Sequence, residues 1–545
     1  MNNLPLGNYP TTVKILLLVV FPFLLLIKKG LSLISLKVNA VKRFNRLLLL
    51  LSLWCTTSFS VFAANEIMSS GSLIIDMGHS PQTIANSLKP YGAIYDLLRN
   101  YQVPIKWVIG QGKSKDGNDF IYNSRAFKGG TFIIQKEYIT PAVQARITYW
   151  AGQGVDFVTT TSPFTVDVTE TIISAPRWAL NSQNGSIAEK FINNAGINNT
   201  LFPNSYYFKD PQLLNNCDDI FVMPHADPTW ATHSNLYFWN QTYKGAIWVG
   251  CKSGSTLSNS INPSNSSQQM NFLSTRNSIT TPTPWPQNSL INAGNHKDGS
   301  IPYVNTNFSD PIAQYLGSID AAQQSGAEQI YIPLQSTNTG GATRWNPGAK
   351  IIVYDPTQEN VPNPDYANGN VAATLVYGRG FDDPNRGYVM FEGSHDISGS
   401  APANVAAQRA FLNFSFFANK EKAPQVTTSG ITAGQVLTSS SNYNLNVTAN
   451  SVIPGSSYTY QWSSSCGGTF SNSTTNNPTY TAPVVTENTP CVITVKVTDN
   501  CGRVSFVSVP ITIIPAPRRP IAADDFGSIS SQCNTNNTIS DSCFK

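Results

Sequence analysis

The sequence predicts an α/β domain on a mostly parallel, doubly wound sheet with helices on both faces, followed by an all-β sandwich. Three observations carry this. From residue 70 to about 420, short apolar runs alternate with stretches of helical periodicity, the pattern of repeated βαβ units. Several of those runs end in a small residue followed by a histidine, cysteine or lysine. From about Ala423 the helical periodicity stops, and strand-like runs alternate with turns.

SLIIDMG (72–78) is a short apolar run ending in glycine, the signature of a strand buried on both faces. Ala85 to Tyr101 places Ile94, Leu97, Leu98 and Tyr101 on one helical face. IKWVIG (105–110) and GTFIIQ (130–135) read as the next strands, with a helix from Pro141 through Trp150 that starts on proline. VDFVTTT (155–161), DIFVMPH (219–225), AIWVGC (246–251), QIYIPL (329–334), KIIVYD (350–355), ATLVYG (373–378) and GYVMFEG (387–393) continue the strands. A last helix, Ala403 to Phe417, carries Phe411, Leu412 and Phe416. Asn- and Ser-rich stretches near 182–215 and 253–300 read as insertions over the loop end of the sheet.

Charge places the chain in an exported class. Only 12% of residues are charged. Residues 1–63 hold Lys14, Lys28, Lys29, Lys37, Lys42, Arg43 and Arg46 and no acid, which leaves 28 basic against 31 acidic residues beyond them. With no basic run there, nucleic-acid binding has no electrostatic footprint. Lys42–Arg46, the apolar stretch Leu47 to Ala63 and the Val61-Phe62-Ala63 ending form a signal region, with the first ~40 residues read as an early start rather than an N-terminal membrane anchor. The expected localisation is secreted or periplasmic, with envelope or cell-surface association. Seven cysteines follow the signal region: Cys217, Cys251, Cys466, Cys491, Cys501, Cys533 and Cys543. An oxidising compartment permits disulfides among them. No CxxC pair and no His/Cys cluster has zinc spacing, and no metal or cofactor is expected. The remaining domains are 64–420 (α/β), 421–515 (sandwich) and 516–545 (a tail with Cys533 and Cys543).

The chemistry-bearing stretch is KGAIWVGCKSGSTLSN (244–259), where an apolar strand runs into a tight, small-residue turn. Such a bend projects one side chain at the carboxyl edge of a sheet, where ligands bind in open α/β folds. Glycines at −2 and +2 around the exposed position would make Lys252 that residue, flanked by Gly250 and Gly254, and leave Cys251 packed in the strand. Cys251 as a nucleophile and a Cys217–Cys251 disulfide are the alternatives. His395-Asp396 follows a strand and is a candidate base with its carboxylate. His225, Asp227 and Trp230 follow another, and Trp230 could stack on a sugar ring. His79 follows the first. In a parallel sheet His79, His225, Lys252 and His395 would gather at one edge; a metal set of His79, His225, His395 and Asp396 is a lesser alternative.

Two resemblances extend this reading. Gly250 and Gly254 at the bend, Tyr377-Gly378-Arg379-Gly380, Gly387-Tyr388-Val389-Met390-Phe391 and His395-Asp396 resemble the trehalose-utilisation (ThuA-like) branch of the class I glutamine amidotransferase-like superfamily. The resemblance implies a flavodoxin-like sheet. Tyr460-Gln461-Trp462, Gly467-Gly468-Thr469-Phe470, Asn477–Pro483 and Val497-Thr498-Asp499-Asn500 resemble PKD-like and related immunoglobulin-like modules. In a sandwich of that kind the Trp462 and Cys491 strands are antiparallel, implying a Cys466–Cys491 disulfide with Cys501 left over. The expected function is a glutaminase-inactive domain that binds or processes a carbohydrate or other polar small molecule. An amidase-type hydrolase using Cys251 and His395, and a non-catalytic adhesion or display scaffold, are the alternatives.

Overall fold

The computed structural model describes residues 64–275, 289–290, 297–326, 328–333, 345–359 and 371–517. The signal region, His296, Cys533 and Cys543 lie outside them.

Two sheets stand where one was expected. Strands β1 (Ala64–Met68), β2 (Leu73–Ile75), β3 (Ile105–Val108), β6 (Thr131–Ile134), β7 (Phe157–Thr159) and β8 (Phe164–Ile172) form a six-stranded sheet in the order β1-β8-β3-β6-β2-β7. Every pairing in it is antiparallel. The hairpin β4 (Asn118–Tyr122) and β5 (Arg125–Lys128) covers its outer face. Leu73, Ile75, Trp107, Phe132 and Ile134 point to the inner core, whereas Ile74 and Ile133 meet Tyr122 and Phe127 of the hairpin. Both faces are therefore apolar. An antiparallel sheet covered on both sides shows the same unbroken apolar runs as a parallel one, which is why the runs misread.

The second sheet has eight strands: β9 (Trp178–Asn181), β10 (Tyr206–Lys209), β11 (Ile220–Met223), β12 (Ala246–Gly250), β13 (Val304–Asn305), β14 (Lys350–Glu359), β15 (Val371–Arg379) and β16 (Tyr388–Glu392). Their order is β10-β9-β11-β12-β16-β15-β14-β13. The first five are parallel, and β15, β14 and β13 add on antiparallel. KIIVYD and ATLVYG are thus strands as expected but with antiparallel pairing, and of the two only ATLVYG runs against the parallel five. QIYIPL contributes only isolated bridges at Tyr331 and Pro333 among the described residues.

The helix Pro402–Asn419 lies between the two sheets. It is buried from Val405 to Asn419 on every side, and apolar residues make up most of that span. Its polar side chains tie the layers together. Arg409 donates to the Met77 carbonyl at 3.0 Å and the Gly129 carbonyl at 2.8 Å, and Trp178 Nε1 donates to Ser415 Oγ at 2.9 Å. The helix Lys89–Tyr101 packs in the same layer. The far face of the second sheet, with Phe221, Met223, Ile247, Val249 and Phe391, is covered by Leu236 and Trp239 of the helix Asn235–Thr242 and Leu257 of the helix Lys252–Asn259. Each such side chain removed from water contributes about 1.5–3 kcal/mol. One half of the second sheet therefore has helices on both faces.

The C-terminal strands are β17 (Gln425–Ser429), β18 (Val436–Thr438), β19 (Asn442–Asn444), β20 (Asn446–Asn450), β21 (Tyr458–Ser464), β22 (Thr469–Phe470), β23 (Thr479–Thr481), β24 (Thr489–Asp499) and β25 (Val504–Ile514). They enclose a separate core around Trp462, Tyr480, Val495 and Ile513. Strand β21 runs antiparallel to β24, and Cys466 is disulfide-bonded to Cys491. Cys501 is not left over: it pairs with Cys217, which also removes the Cys217–Cys251 alternative. Two disulfides fit an oxidising compartment. Among the described residues, no helix is long and apolar enough to cross a membrane.

Candidate thiol–imidazole site

Three loops leave the carboxyl ends of the adjacent parallel strands β11, β12 and β16. They carry His225, Cys251 and His395. One ligand atom from each lies within 4.8 Å of the other two. The two imidazoles approach with Nδ1 to Nδ1 at 3.0 Å and ring centroids 4.2 Å apart.

The bend after β12 is built differently from its expected register. Gly250 ends the strand, Cys251 takes φ 43° and ψ −143°, and the helix starts at Lys252. A non-glycine residue in that region is strained, by roughly 1–3 kcal/mol. Cys251, fully buried, is therefore the elbow residue rather than the last residue of the strand. The glycines serve close approach instead. A Cβ on Gly250 would stand 2.8 Å from the Pro224 carbonyl, and one on Gly254 2.6 Å from the Tyr331 ring. Ser253 fastens the elbow to the neighbouring loop, accepting from Ala226 N at 2.6 Å. The Tyr331 hydroxyl stands 2.8 Å from the Cys251 carbonyl and 3.1 Å from that of Glu392, tying the ends of β12 and β16 together.

His225 and His395 are aimed by their backbones. Asn184, itself at φ 60°, donates to the His225 carbonyl at 2.8 Å. Ser394 sits at φ 82° and donates its N–H to the Glu328 carbonyl at 2.7 Å, turning the chain so that His395 faces His225. The site thus carries left-handed, non-glycine backbone at both Cys251 and Ser394.

Other expected residues stand around this core. Lys252 does not project freely: its Nζ lies 2.6 Å from Asp227 Oδ1. Burial would raise the Asp227 carboxyl, but Lys252 and Gln183 hold it below its ordinary value. Asp396 turns from His395 to Lys190, at 2.8 Å, and accepts from Ser398 N. Trp230 is half-buried and packs on Tyr237 and Phe238. His79 belongs to a second cluster on the six-stranded sheet, with Asp76, Asp156 and Arg125. The predicted gathering therefore holds for the His225, Cys251–Lys252 and His395 loops and fails for His79, whose strand lies in the other sheet. His233 is buried against Asn181, and burial lowers its imidazole to about 4.

Two buried carboxyls had no sequence signal beyond an acid beside an apolar run. Burial pushes Glu328 well above the usual range, with Ser255 and Lys252 acting in the opposite direction. Burial pushes Glu392, at the end of β16, up to about 8, partly offset by a hydrogen bond from Trp248 Nε1 at 3.1 Å.

The fold is mixed α/β with a C-terminal β-rich region. No protein-family model and no curated protein matches the chain. Similarity to solved structures is slight. A nucleoside hydrolase-related hypothetical protein from Saccharophagus degradans is 11% identical, over 54% of this chain and 71% of that one, at a TM-score of 0.16. The PKD1 domain of Vibrio anguillarum Epp is 15% identical, over 18% of this chain and 99% of that one, at a TM-score of 0.12. A 2,6-sialyltransferase of Photobacterium sp. JT-ISH-224 is 13% identical at a TM-score of 0.13; 16% of this chain matches and spans 18% of that one.

Proposed function

We propose that this protein is an exported thiol hydrolase that cleaves a small amide or ester of a polar compound, with Cys251 as nucleophile. The observation that carries this is the left-handed φ of 43° at Cys251, on a turn from a parallel strand into a helix. That geometry turns the buried thiol off the line of the strand, beside the two imidazoles and at the positive end of the helix. His225 and His395 supply imidazoles beside it. In this reading the thiolate attacks the substrate carbonyl and a thioester forms. The imidazolium gives its proton to the departing amine or alkoxide. Water then attacks the thioester, the imidazole takes its proton, and the thiol is restored. The Lys252 N–H, first in the helix, is the natural donor to the oxyanion. The five parallel strands β10-β9-β11-β12-β16 support the ThuA-like, amidotransferase-type reading of this sheet, and the separate C-terminal core supports a PKD-like spacer.

The test needs no known substrate. Alkylation of Cys251 by iodoacetamide is followed by mass spectrometry across pH. The expected midpoint lies below the free-thiol value of about 8.5, and moves up in His395→Gln or His225→Gln. A burst of nitrophenolate from p-nitrophenyl acetate is lost in Cys251→Ser. A midpoint at or above that of a free thiol, unmoved by either histidine variant, overturns the proposal.

A second reading rests on Trp230. Its partly buried ring opens the helix that follows Asp227, the partner of Lys252, and an aromatic face beside an ion pair suits a sugar. A glycan array separates the two: binding lost in Trp230→Ala and kept in Cys251→Ser would favour a binding module.

A further inference from the structure

We infer that His225, Cys251 and His395 also form a binding site for one zinc-type divalent cation. No spacing rule could find it, because the three ligands come from three separated loops. The structure assembles them at the ends of adjacent strands, with one donor atom from each within 4.8 Å of the others.

The donor set and the distances both fit. One thiolate and two imidazoles suit zinc, cobalt or copper, and not the oxygen-seeking calcium or magnesium. Zinc holds nitrogen at about 2.0–2.1 Å and sulfur at about 2.3 Å. In a tetrahedron those bonds put donor atoms about 3.3–3.6 Å apart. The imidazole nitrogens already stand 3.0 Å apart. Two Nδ1 atoms that close must share something between them, either a proton on one ring or a cation bound by both. With every donor pair within 4.8 Å, closing the set asks for a shift of at most about 1 Å.

The neighbouring carboxylates are not offered as a fourth ligand. Asp227 is engaged by Lys252 and Asp396 by Lys190. Preorganisation comes from backbone: the left-handed turns at Cys251 and Ser394, and the Asn184 amide on the His225 carbonyl, aim the ligands before any ion arrives. The Asp76–His79–Asp156 cluster is the counter-example. Arg125 already lies between its two carboxylates and neutralises them.

Binding releases the Cys251 proton to solvent, and the sulfur lone pair goes to the metal. A coordinated thiolate cannot attack a carbonyl, so metal occupancy and hydrolysis exclude each other. The site stands independently of the hydrolase reading, since a thiol and two imidazoles bind zinc whether or not they also catalyse.

The test uses the full chain, stripped with chelator and titrated with Co²⁺. A thiolate-to-cobalt charge-transfer band is expected to saturate at one equivalent and to be bleached by Zn²⁺. Cys251→Ser abolishes the band. His225→Gln and His395→Gln each weaken binding by about tenfold or more. His79→Asn leaves it unchanged. Each variant is checked for a cooperative thermal transition. In the unmutated chain, one equivalent of Zn²⁺ protects Cys251 from iodoacetamide, a readout that needs no variant. A band that survives Cys251→Ser, or a thiol that zinc does not protect, overturns the site. Zinc binding without an ester burst would remove the hydrolase and leave the metal site standing.

Discussion

Strand β11 is only four residues long, yet its two ends are built on opposite principles. At its amino end Asp219 is buried and fully paired. Arg503 reaches it from the C-terminal sandwich through Nε at 2.8 Å and Nη2 at 2.7 Å, and the Arg177 N–H donates at 3.1 Å. Lys422 donates to the Asp218 and Asp219 carbonyls, and the Cys217–Cys501 disulfide closes the same region covalently. Burial would raise the Asp219 carboxyl, but Arg503, Lys422 and Arg177 hold it low. At the carboxyl end stand two imidazoles, a buried thiol and left-handed backbone at Cys251 and Ser394. Nearby, the Gln323 amide and one oxygen of Glu392 are buried without hydrogen-bond partners among the described residues. The amino end satisfies its groups and joins two regions of the chain. The carboxyl end keeps reactive groups under strain, as expected where an open α/β sheet binds ligands.

The largest effect should come from breaking the paired end. Arg503→Ala removes the closest partner of the buried Asp219 and leaves it only Arg177 and Lys422, and the expected loss is about 3 kcal/mol, read as a lower urea midpoint. A loss under about 1 kcal/mol would mean that the amino end is no more specialised than a surface ion pair.

Next comes the covalent tie. Replacing Cys217 and Cys501 together by serine should cost about 2–5 kcal/mol, because their bond spans 284 residues. The two losses should not add, since both act on one contact region. Strict additivity in the combined variant would show that the disulfide and the ion pair work separately.

The two ends should also respond to pH with opposite sign. Burial lowers Lys422 from 10.5 to about 7, so between those values the unfolded chain binds more protons, and stability from Lys422 rises with pH. Burial raises Glu392 from 4.5 to about 8, so the folded chain binds more protons there. Stability from Glu392 is full below pH 4.5 and is lost as pH rises through 8. Lys422→Met should flatten the upper slope and Glu392→Gln the lower one, in urea titrations from pH 5 to 10. An unchanged profile in both variants would remove this contrast.

The smallest effect tests strain at the elbow. In ordinary backbone glycine is less stable than alanine by about 0.5–1 kcal/mol. At φ 43° the order should invert, with Cys251→Gly at least as stable as Cys251→Ala. The usual order would show that Cys251 carries no strain.

Much of this architecture could be read in advance, and the failures share a cause. The segments IKWV, TFII, IFVM and AIWVG became strands, and Pro141 starts a helix, because apolar period, β-branching and proline geometry act over a few residues. Direction did not follow, since SLIID carries apolar residues on both faces whichever way its neighbours run. His225 and His395 were legible as strand-end histidines. The elbow register was not, because the glycines beside Cys251 answer to Pro224 and Tyr331, which are distant in sequence.

By itself the sequence determined the alternation of elements, the change to β texture near Ala423 and the residues that end at the sheet edge. These depend on side-chain period and local backbone preference, which each segment carries alone. Only the tertiary structure decided that the strands divide between two sheets, that Cys501 reaches back to Cys217, and that Cys251 rather than Lys252 occupies the strained turn. Those outcomes depend on which surfaces can be buried against one another, and a chain settles that only when its distant segments meet.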